Sequence, residues 1–297
     1  MSCADHIDSF IVFMMANGVE PDEPIAARLA SGSLIRFRCK GDGKGRKNGW
    51  AILYLDARPA GAFGNYRQST GTLKWKADAS GPALSVEERA ALQREWKEAR
   101  ERREGERRQN EAEAALDAAN LWTCARPVAP GHMYAFEKNL DTRPLRELGS
   151  DILIPMCDEG GTIWNLQRIR PTGEKRFLNG GRINGLFTLI GEFTPVAREA
   201  VFVEGYSTGD TVHRATGLPV IVTFNTANMP KVARLWSELR PDLEYTVFAD
   251  DDEATALREL QRTGAYKNPG IETAEAVAAE IGAKIAYPLG RPQGRAA

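Results

Sequence analysis

Val201-Phe-Val-Glu204-Gly205 and, further along, Tyr245-Thr-Val-Phe-Ala-Asp250-Asp251-Asp252 decide how this chain reads. Each is a short apolar run, rich in β-branched and aromatic residues, that stops on a carboxylate. Continuous apolar runs mark strands of a parallel sheet, because helices cover both faces. In open α/β sheets the site lies beyond the carboxyl ends of the strands. The reading therefore sets Glu204 beside Asp250 and Asp252 at one sheet edge. Asp250 and Asp252 are two apart, so on an extended segment they point the same way. Carboxylates so close repel one another unless a cation or hydrogen-bond donors offset them. Hard oxygen ligands suit Mg²⁺ or Mn²⁺, ions that mostly handle phosphates. The bland alternative is a surface helix start capped by Asp250-Asp-Asp252-Glu253; the strand-end Glu204 upstream weighs against it.

The flanking sequence alternates strand and helix. Strand 201–204 leads to a helix at 207–216 for which Ser207 offers a cap. Strand Pro219–Phe224, helix Pro230–Leu239, strand Tyr245–Ala249, helix Gly270–Ile281 and strand Lys284–Tyr287 follow. That βαβαβαβ order predicts a mostly parallel sheet with flanking helices across 196–297, within an α/β (α+β overall) chain. Upstream, 120–195 carries short strands at Asp151–Pro155, Thr162–Arg170 and Lys175–Leu178, with turns at Asp158-Glu-Gly-Gly161 and Pro171-Thr-Gly173. It reads as a mixed, basic subdomain. Residues 85–119 open on a capping box, Ser85 with Glu88, and continue as a charged helix that Gly105 interrupts. This reads as a linker. Residues 1–84 begin with a helical stretch and turn into a small antiparallel module, with strands at Leu34–Cys39, Gly49–Leu55 and Gly61–Tyr66.

Composition sets bounds on these readings. The 297 residues are 42% hydrophobic and 27% charged, an ordinary globular balance. No apolar run approaches the roughly 18 residues of a membrane span. Phe10-Ile-Val-Phe-Met-Met-Ala16 is shorter and follows Asp5 and Asp8, which fits a buried helix better than a signal peptide. The four cysteines are scattered without a Cys-x-x-Cys pair, as expected of reduced thiols in a cytoplasmic protein. The net charge of −1 conceals an uneven distribution. Residues 1–84 carry 11 Lys/Arg against 8 Asp/Glu, and 196–297 carry 11 against 14. The window Arg36–Lys47 alone reaches +5. A basic front and an acidic end are compatible with a nucleic-acid enzyme.

The Glu204-Gly205 and Asp250-Asp251-Asp252 pair resembles the signature of a Toprim domain, shared by bacterial-type primases, type IA and II topoisomerases and some nucleases. The upstream segment narrows the likeness to primases. Ile152-Leu-Ile-Pro155-Met156, Asp158-Glu-Gly160-Gly161, Gln167-Arg168 and Lys175-Arg-Phe177-Leu-Asn179-Gly180 resemble the basic subdomain preceding the primase Toprim domain. Gly205-Tyr-Ser-Thr208, Phe224-Asn-Thr-Ala-Asn228 and Asn268-Pro-Gly270 resemble primases carried by plasmids and phages. The resemblance covers roughly 120–290 and implies a primase that makes short RNA primers on single-stranded DNA from ribonucleoside triphosphates. It implies that Glu204, Asp250 and Asp252 hold Mg²⁺ or Mn²⁺, with Glu204 also assisting proton transfer. Lys175, Arg176 and Asn179 then face nucleotide or template. A metal-dependent Toprim nuclease and a non-catalytic single-stranded DNA-binding replication protein stay open as alternatives. There is no helicase motif after the Toprim-like region, so unwinding would fall to a separate helicase or replication protein.

There are departures from the family pattern. Thr208 stands where replicative primases place an aspartate, and Asn179-Gly-Gly-Arg-Ile183 replaces their Asn-Ser-Pro-Glu-Thr. Cys3, His6 and Cys39 have no four-ligand spacing, so no zinc is expected. On charge grounds Arg168, Arg170, Lys175, Arg176 and Arg182 are candidates to neutralise phosphate facing the metal. Lys40, Lys44, Arg46 and Lys47, on a glycine-rich loop read as flexible, are candidate DNA contacts. Trp50, Tyr54, Phe63, Tyr66 and Trp75 lie nearby in sequence; most are expected in the core, but aromatics beside cations also grip single strands. That loop lacks the pattern of an ATP-binding phosphate loop. His6, His132 and His213 are isolated and read as packing or surface residues.

Overall fold

The computed structural model describes residues 3–30, 32–43, 45–55, 59–68, 71–77, 86–251, 253, 256–257, 260–261 and 266–287. The chain forms two compact units, 1–106 and 107–297, taken here one at a time.

The first unit opens with helix α1 (Cys3–Ala16) and the single turn α2 (Ala26–Leu29). An antiparallel sheet follows: β1 (Ile35–Phe37), β2 (Gly49–Tyr54), β3 (Ala60–Asn65) and β4 (Leu73–Lys76), in that spatial order. Alternation sends Ile35, Phe37, Ala51, Leu53, Phe63 and Trp75 to one face, where Phe10 and Met14 of α1 and Leu29 of α2 close the core. Phe10 meets Phe63 edge-on at 5.6 Å and Trp75 at 5.3 Å. Gly49 and Gly61 are required by close approach. A Cβ on Gly49 would lie 2.3 Å from Phe37, and one on Gly61 2.7 Å from Phe10.

Helix α3 (Val86–Cys124) is longer than the sequence implies, and Gly105 does not interrupt it. A lone glycine costs a helix only about 1 kcal/mol. That is offset by strong helix formers and by pairs such as Arg107–Glu111 at 2.5 Å and Gln109–Glu113 at 3.0 Å. The capping residue Ser85 lies outside the described residues, and among the described residues no helix is long and apolar enough to cross a membrane.

The second unit holds two sheets. The first contains β5 (Arg126–Pro127), then, after the short helix α4 (Met133–Glu137), β6 (Arg146–Leu148), β7 (Asp151–Cys157), β8 (Ile163–Ile169) and β9 (Lys175–Phe177). It is antiparallel, with strands in sequence order. Ala118 of α3 packs with Leu153 and Leu166 on one face. The other face presents Ile152, Ile154, Met156 and Ile169 to the second sheet.

That second sheet is built from β10 (Thr188–Ile190), β11 (Glu199–Val203), β12 (Val220–Val222), β13 (Glu244–Phe248) and β14 (Lys284–Ala286), in the order β10-β12-β11-β13-β14. Helices α5 (Tyr206–Thr216), α6 (Met229–Leu239) and α7 (Pro269–Ile281) flank it. The mostly parallel α/β reading holds for β11 to β14. An antiparallel edge strand, β10, comes from the segment before 196 and pairs with β12. On one face α5 and the first sheet bury Val201, Val203 and Val222. On the other, α6 and α7 bury Phe202, Ile221 and Val247. Trp236 of α6 lies 5.3 Å from Phe187 and 4.7 Å from Phe193.

Candidate functional site

The site is assembled at the carboxyl edge of the second sheet. β11 and β13 are adjacent and parallel, with Phe202 opposite Val247. Glu204 therefore leaves its strand two residues past that pair and Asp250 three residues past it. Neighbouring strands are about 4.8 Å apart, so the two residues emerge from adjacent strand ends, Glu204 level with Ala249 and Asp250 one residue further on. Glu204 is half-buried and Asp250 exposed. Asp251 turns aside and accepts from Asn268 Nδ2 at 2.6 Å. Asn268 also caps α7, accepting from Ile271 N–H at 3.3 Å. Asp252 lies outside the described residues, and among those described no group of three metal-ligating side chains is gathered.

Backbone contacts fix both strand ends. The Glu204 carbonyl accepts from Phe224 N–H at 2.9 Å, while Thr223 donates to Val203 through its N–H at 2.9 Å and its hydroxyl at 3.1 Å. Phe224 adopts φ +70°, a sparsely populated conformation for a bulky residue. It is stabilised by edge-on contact with Phe177 of β9, with ring centroids 6.3 Å apart. On the other strand, a Cβ on Gly270 would lie 2.3 Å from the Asp250 carbonyl oxygen, so the start of α7 sits directly on that backbone. The local signals differ from expectation at one point. α5 begins at Tyr206, with Gly205 as its extended N-cap, and Ser207 is inside the helix.

Lys175 is brought to this edge. Ile169 pairs with Lys175 across β8 and β9, and Ile169 is buried in the core shared with Val201 and Val203. Lys175 thus leaves the sheet on the side of the strand ends. Its Nζ lies 3.7 Å from the position a Cβ on Gly205 would take. Glycine at 205 leaves the ammonium room beside the Glu204 turn.

The other basic candidates do not form one cluster facing the carboxylates. Strand alternation sends Arg168 and Arg176, which are paired with each other, to the opposite face of the sheet. There Arg168 donates twice to Asp151 Oδ2, at 3.1 and 2.8 Å. Arg176 and Arg170 both pair with Glu174, at 2.6 and 2.7 Å. The Arg176 guanidinium, helped by Arg170, holds the Glu174 carboxyl below its ordinary range. These residues with Asn179 line a cleft of 260 Å³. Arg182 lies elsewhere again, its guanidinium 5.3 Å from the Trp164 ring centroid and its Nε donating to the Asn184 carbonyl at 3.0 Å.

Several residues that organise the site escape a reading based on charge. Asn228, 1% exposed, donates from Nδ2 to the Leu186 and Thr223 carbonyls at 2.8 Å each and accepts from Gly185 N–H at 2.7 Å. Buried Asn165 accepts from Leu178 N–H at 3.1 Å and donates to the Arg182 carbonyl at 2.8 Å, which shapes the turn after β9. The carboxylate in α5 is Asp210, two residues after Thr208. It is buried, pairs with Arg214 at 3.0 Å and accepts from Asp141 N–H, so it braces the fold away from the strand ends. Burial, reinforced by Asp210 and Asp141, pushes the Tyr206 phenol well above its usual range. Asp158 accepts from Gly160 and Thr162 N–H and from Trp164 Nε1 at 2.7 Å. Burial raises its pKa, but these donors and Arg182 outweigh that and hold the carboxyl below the ordinary range. His213 meets the Leu218 carbonyl at 2.7 Å and packs under Gly191, a structural role.

In the first unit the Lys40–Lys47 loop is folded around Asp42 and is less open than its glycines imply. Asp42 accepts from Cys39 N–H at 2.9 Å and from Asn48 Nδ2 at 2.7 Å. Lys40 is paired with Glu20, Arg46 and Lys47 are exposed, and Lys44 lies outside the described residues.

No family model matches the chain. Among curated proteins it is 32% identical over 271 residues to a DNA primase TraC of Escherichia coli, covering 89% of this chain and 24% of that protein. A second Escherichia coli DNA primase TraC is 29% identical over 281 residues, covering 93% of this chain and 18% of the relative. Among solved structures, the primase fragment of the bacteriophage T7 primase-helicase protein aligns with a TM-score of 0.36 at 12% identity, over 56% of this chain and 65% of that one. Primase domains in a complex with the bacteriophage T7 lagging-strand DNA polymerase align at 0.38 and 11% identity, over 58% and 83%. Both scores are too low to bear on function. The chain spans about a quarter, or less, of the length of the curated relatives it matches. Over nearly its whole length this chain is a relative of a segment of the DNA primase TraC.

Proposed function

We propose that this chain is a DNA primase, joining ribonucleotides into short RNA primers on a single-stranded DNA template. The observation that carries the proposal is the likeness to DNA primase TraC across 89% of the chain. The arrangement at the sheet edge supports it. Carboxylates at Glu204 and Asp250 leave adjacent parallel strands, and the Lys175 ammonium stands beside the Glu204-Gly205 turn.

In chemical terms the donor set fits a hard divalent cation: carboxylate oxygens, one half-buried, at neighbouring strand ends. Glu204, Asp250 and Asp252 would hold Mg²⁺ or Mn²⁺, which when bound stabilises charge on the reacting phosphate and activates the attacking hydroxyl. Lys175 offsets negative charge on the incoming triphosphate, as a point charge that adapts to a moving group. The Gly205 turn leaves backbone exposed for close approach of that phosphate. The Arg168–Arg176–Asn179 cleft lies on the other face, and its part is to steer the template backbone. Arg182 braces the turn after β9.

Purified protein, labelled ribonucleotides, single-stranded DNA and Mg²⁺ or Mn²⁺ make the test. Short RNA products that vanish with Asp250→Ala support the proposal. Nicking of supercoiled plasmid without nucleotides would redirect it to a nuclease. Tight DNA binding with neither synthesis nor cutting would leave only a single-strand binder.

A further inference from the structure

The sheet of the first unit has a second face that the core does not use. Cross-strand pairing places Arg36, Trp50 and Gly64 in one row, Ile52, Ala62 and Lys74 in the next, and Tyr54, Ala60 and Lys76 in the third. All of these point away from α1. The centre is built of small residues, and one edge is lined by exposed lysines, Lys74 and Lys76.

Two aromatic residues on this face, Trp50 and Tyr66, lie close together, and Tyr66 is open to solvent. A Cβ on Gly64 would come within 2.7 Å of both Trp50 Nε1 and the Gly71 carbonyl oxygen, so the indole packs against the glycine backbone beside that carbonyl. Trp50 is partly buried, and its ring lies 6.4 Å from that of Tyr66. Tyr66 is 60% exposed although it is large and apolar. Arg36 stacks over the Tyr66 ring at 4.4 Å, and its guanidinium is held by the Lys47 carbonyl at 2.6 Å. At the far end Arg103 of α3 stacks over Tyr54 at 4.3 Å. Exposed Arg46 and Lys47 flank the Arg36 end. Aromatic planes supported from below and rimmed by cations have the chemistry of a single-strand platform: bases stack on the rings and phosphates meet the lysines and arginines. A protein partner would call for a continuous apolar patch, whereas this face is small-residue in the middle and basic at its rim.

We infer that this face binds single-stranded DNA, with Trp50 and Tyr66 stacking bases and Arg36, Lys74 and Lys76 contacting phosphates. This deepens the primase reading, on which it rests for the identity of the strand. It also moves the contact from the Lys40–Lys47 loop alone to the sheet face beside it.

Fluorescence anisotropy with a labelled oligothymidine and the full chain tests the inference. Tyr66→Ala is expected to weaken binding about tenfold or more, and Tyr66→Phe to restore it, since stacking needs the ring and not the hydroxyl. Lys74→Glu with Lys76→Glu should weaken binding and flatten its salt dependence by about two phosphate contacts. Duplex DNA should compete poorly because its bases are already stacked. Unchanged affinity in Tyr66→Ala and in the double lysine variant overturns the inference, as does equal affinity for duplex or a preference for single-stranded RNA. A parent that binds through this face yet makes no primers would count against the primase reading alone, and primers made by a protein indifferent to these variants would count against this face alone.

Discussion

Replacing Asn228 with alanine removes the side chain that ties the end of β12 to the segment leading into β10. Three hydrogen bonds go at once: two from Nδ2, to the Leu186 and Thr223 carbonyls at 2.8 Å each, and one into Oδ1, from Gly185 N–H at 2.7 Å. Asn228 is buried, so water does not readily replace them. Each hydrogen bond is worth about 1 kcal/mol net, and stranding buried partners adds to that, giving a loss of about 3–4 kcal/mol for Asn228→Ala. Domains are stable by only about 5–15 kcal/mol. With a urea dependence of about 2 kcal/mol per molar, the unfolding midpoint of the second unit should fall by about 1.5–2 M. Asn228→Asp keeps the acceptor for Gly185 but aims a charged oxygen at two carbonyls, so it should be at least as damaging. Urea unfolding followed by circular dichroism gives the midpoints, and hydrogen exchange over 184–190 should speed up selectively. The site should suffer too, because the neighbouring Phe224 N–H holds the Glu204 carbonyl. A midpoint within about 0.3 M of the parent, with unchanged exchange in that segment, would refute the reasoning.

Gly270→Ala should reduce primer synthesis more than it reduces stability, because its Cβ would press on the Asp250 carbonyl at 2.3 Å and shift that strand end; activity and urea midpoint measured together check this. Thiol reagents at pH 7–8 should modify exposed Cys3 and Cys124 quickly and leave Cys39 and Cys157 slow, since burial, helped by Asp42 and Asp158 respectively, pushes both of the latter thiols up to about 11. Mass spectrometry of partial labelling identifies the sites. Asp158 has a folded-state pKa below its unfolded value, so its stabilisation is present above the ordinary aspartate range and is lost as pH falls through the folded value. Asp158→Asn should therefore be less stable than the parent at neutral pH, with the gap closing in acid; unfolding midpoints between pH 2 and 7 (about the range where carboxylates titrate) measure it.

Much of the second unit was legible because its chemistry is written in long patterns. Val201-Phe-Val and Tyr245-Thr-Val-Phe are short, largely apolar runs of the kind a strand covered on both faces sustains, and each leads to its carboxylate. β10 was not legible: Thr188–Ile190 is a short antiparallel edge whose place depends on pairing with distant Val220–Val222. Gly105 misled because a single breaker is weak against a long run of good helix formers. The separation of Lys175 from Arg176 did have a signal in the sequence. Neighbours on a strand face opposite ways, and reading the basic residues as one cluster ignored that alternation. Asn165 and Asn228 carried no charge signal. Their role is to satisfy backbone groups brought together by the tertiary fold, and it shows only once those groups have positions.

The central claim is that carboxylates at adjacent strand ends make this chain a primer-synthesising enzyme. The most direct measurement is incorporation of labelled ribonucleotides on single-stranded DNA with Mg²⁺ or Mn²⁺, comparing the parent with Glu204→Gln and Asp250→Asn at matched stability. Short RNA products from the parent, reduced at least about hundredfold in both variants, are the result expected of lost charge stabilisation at the reacting phosphate. Undiminished synthesis in either variant, or none from a folded, DNA-binding parent, would contradict the account.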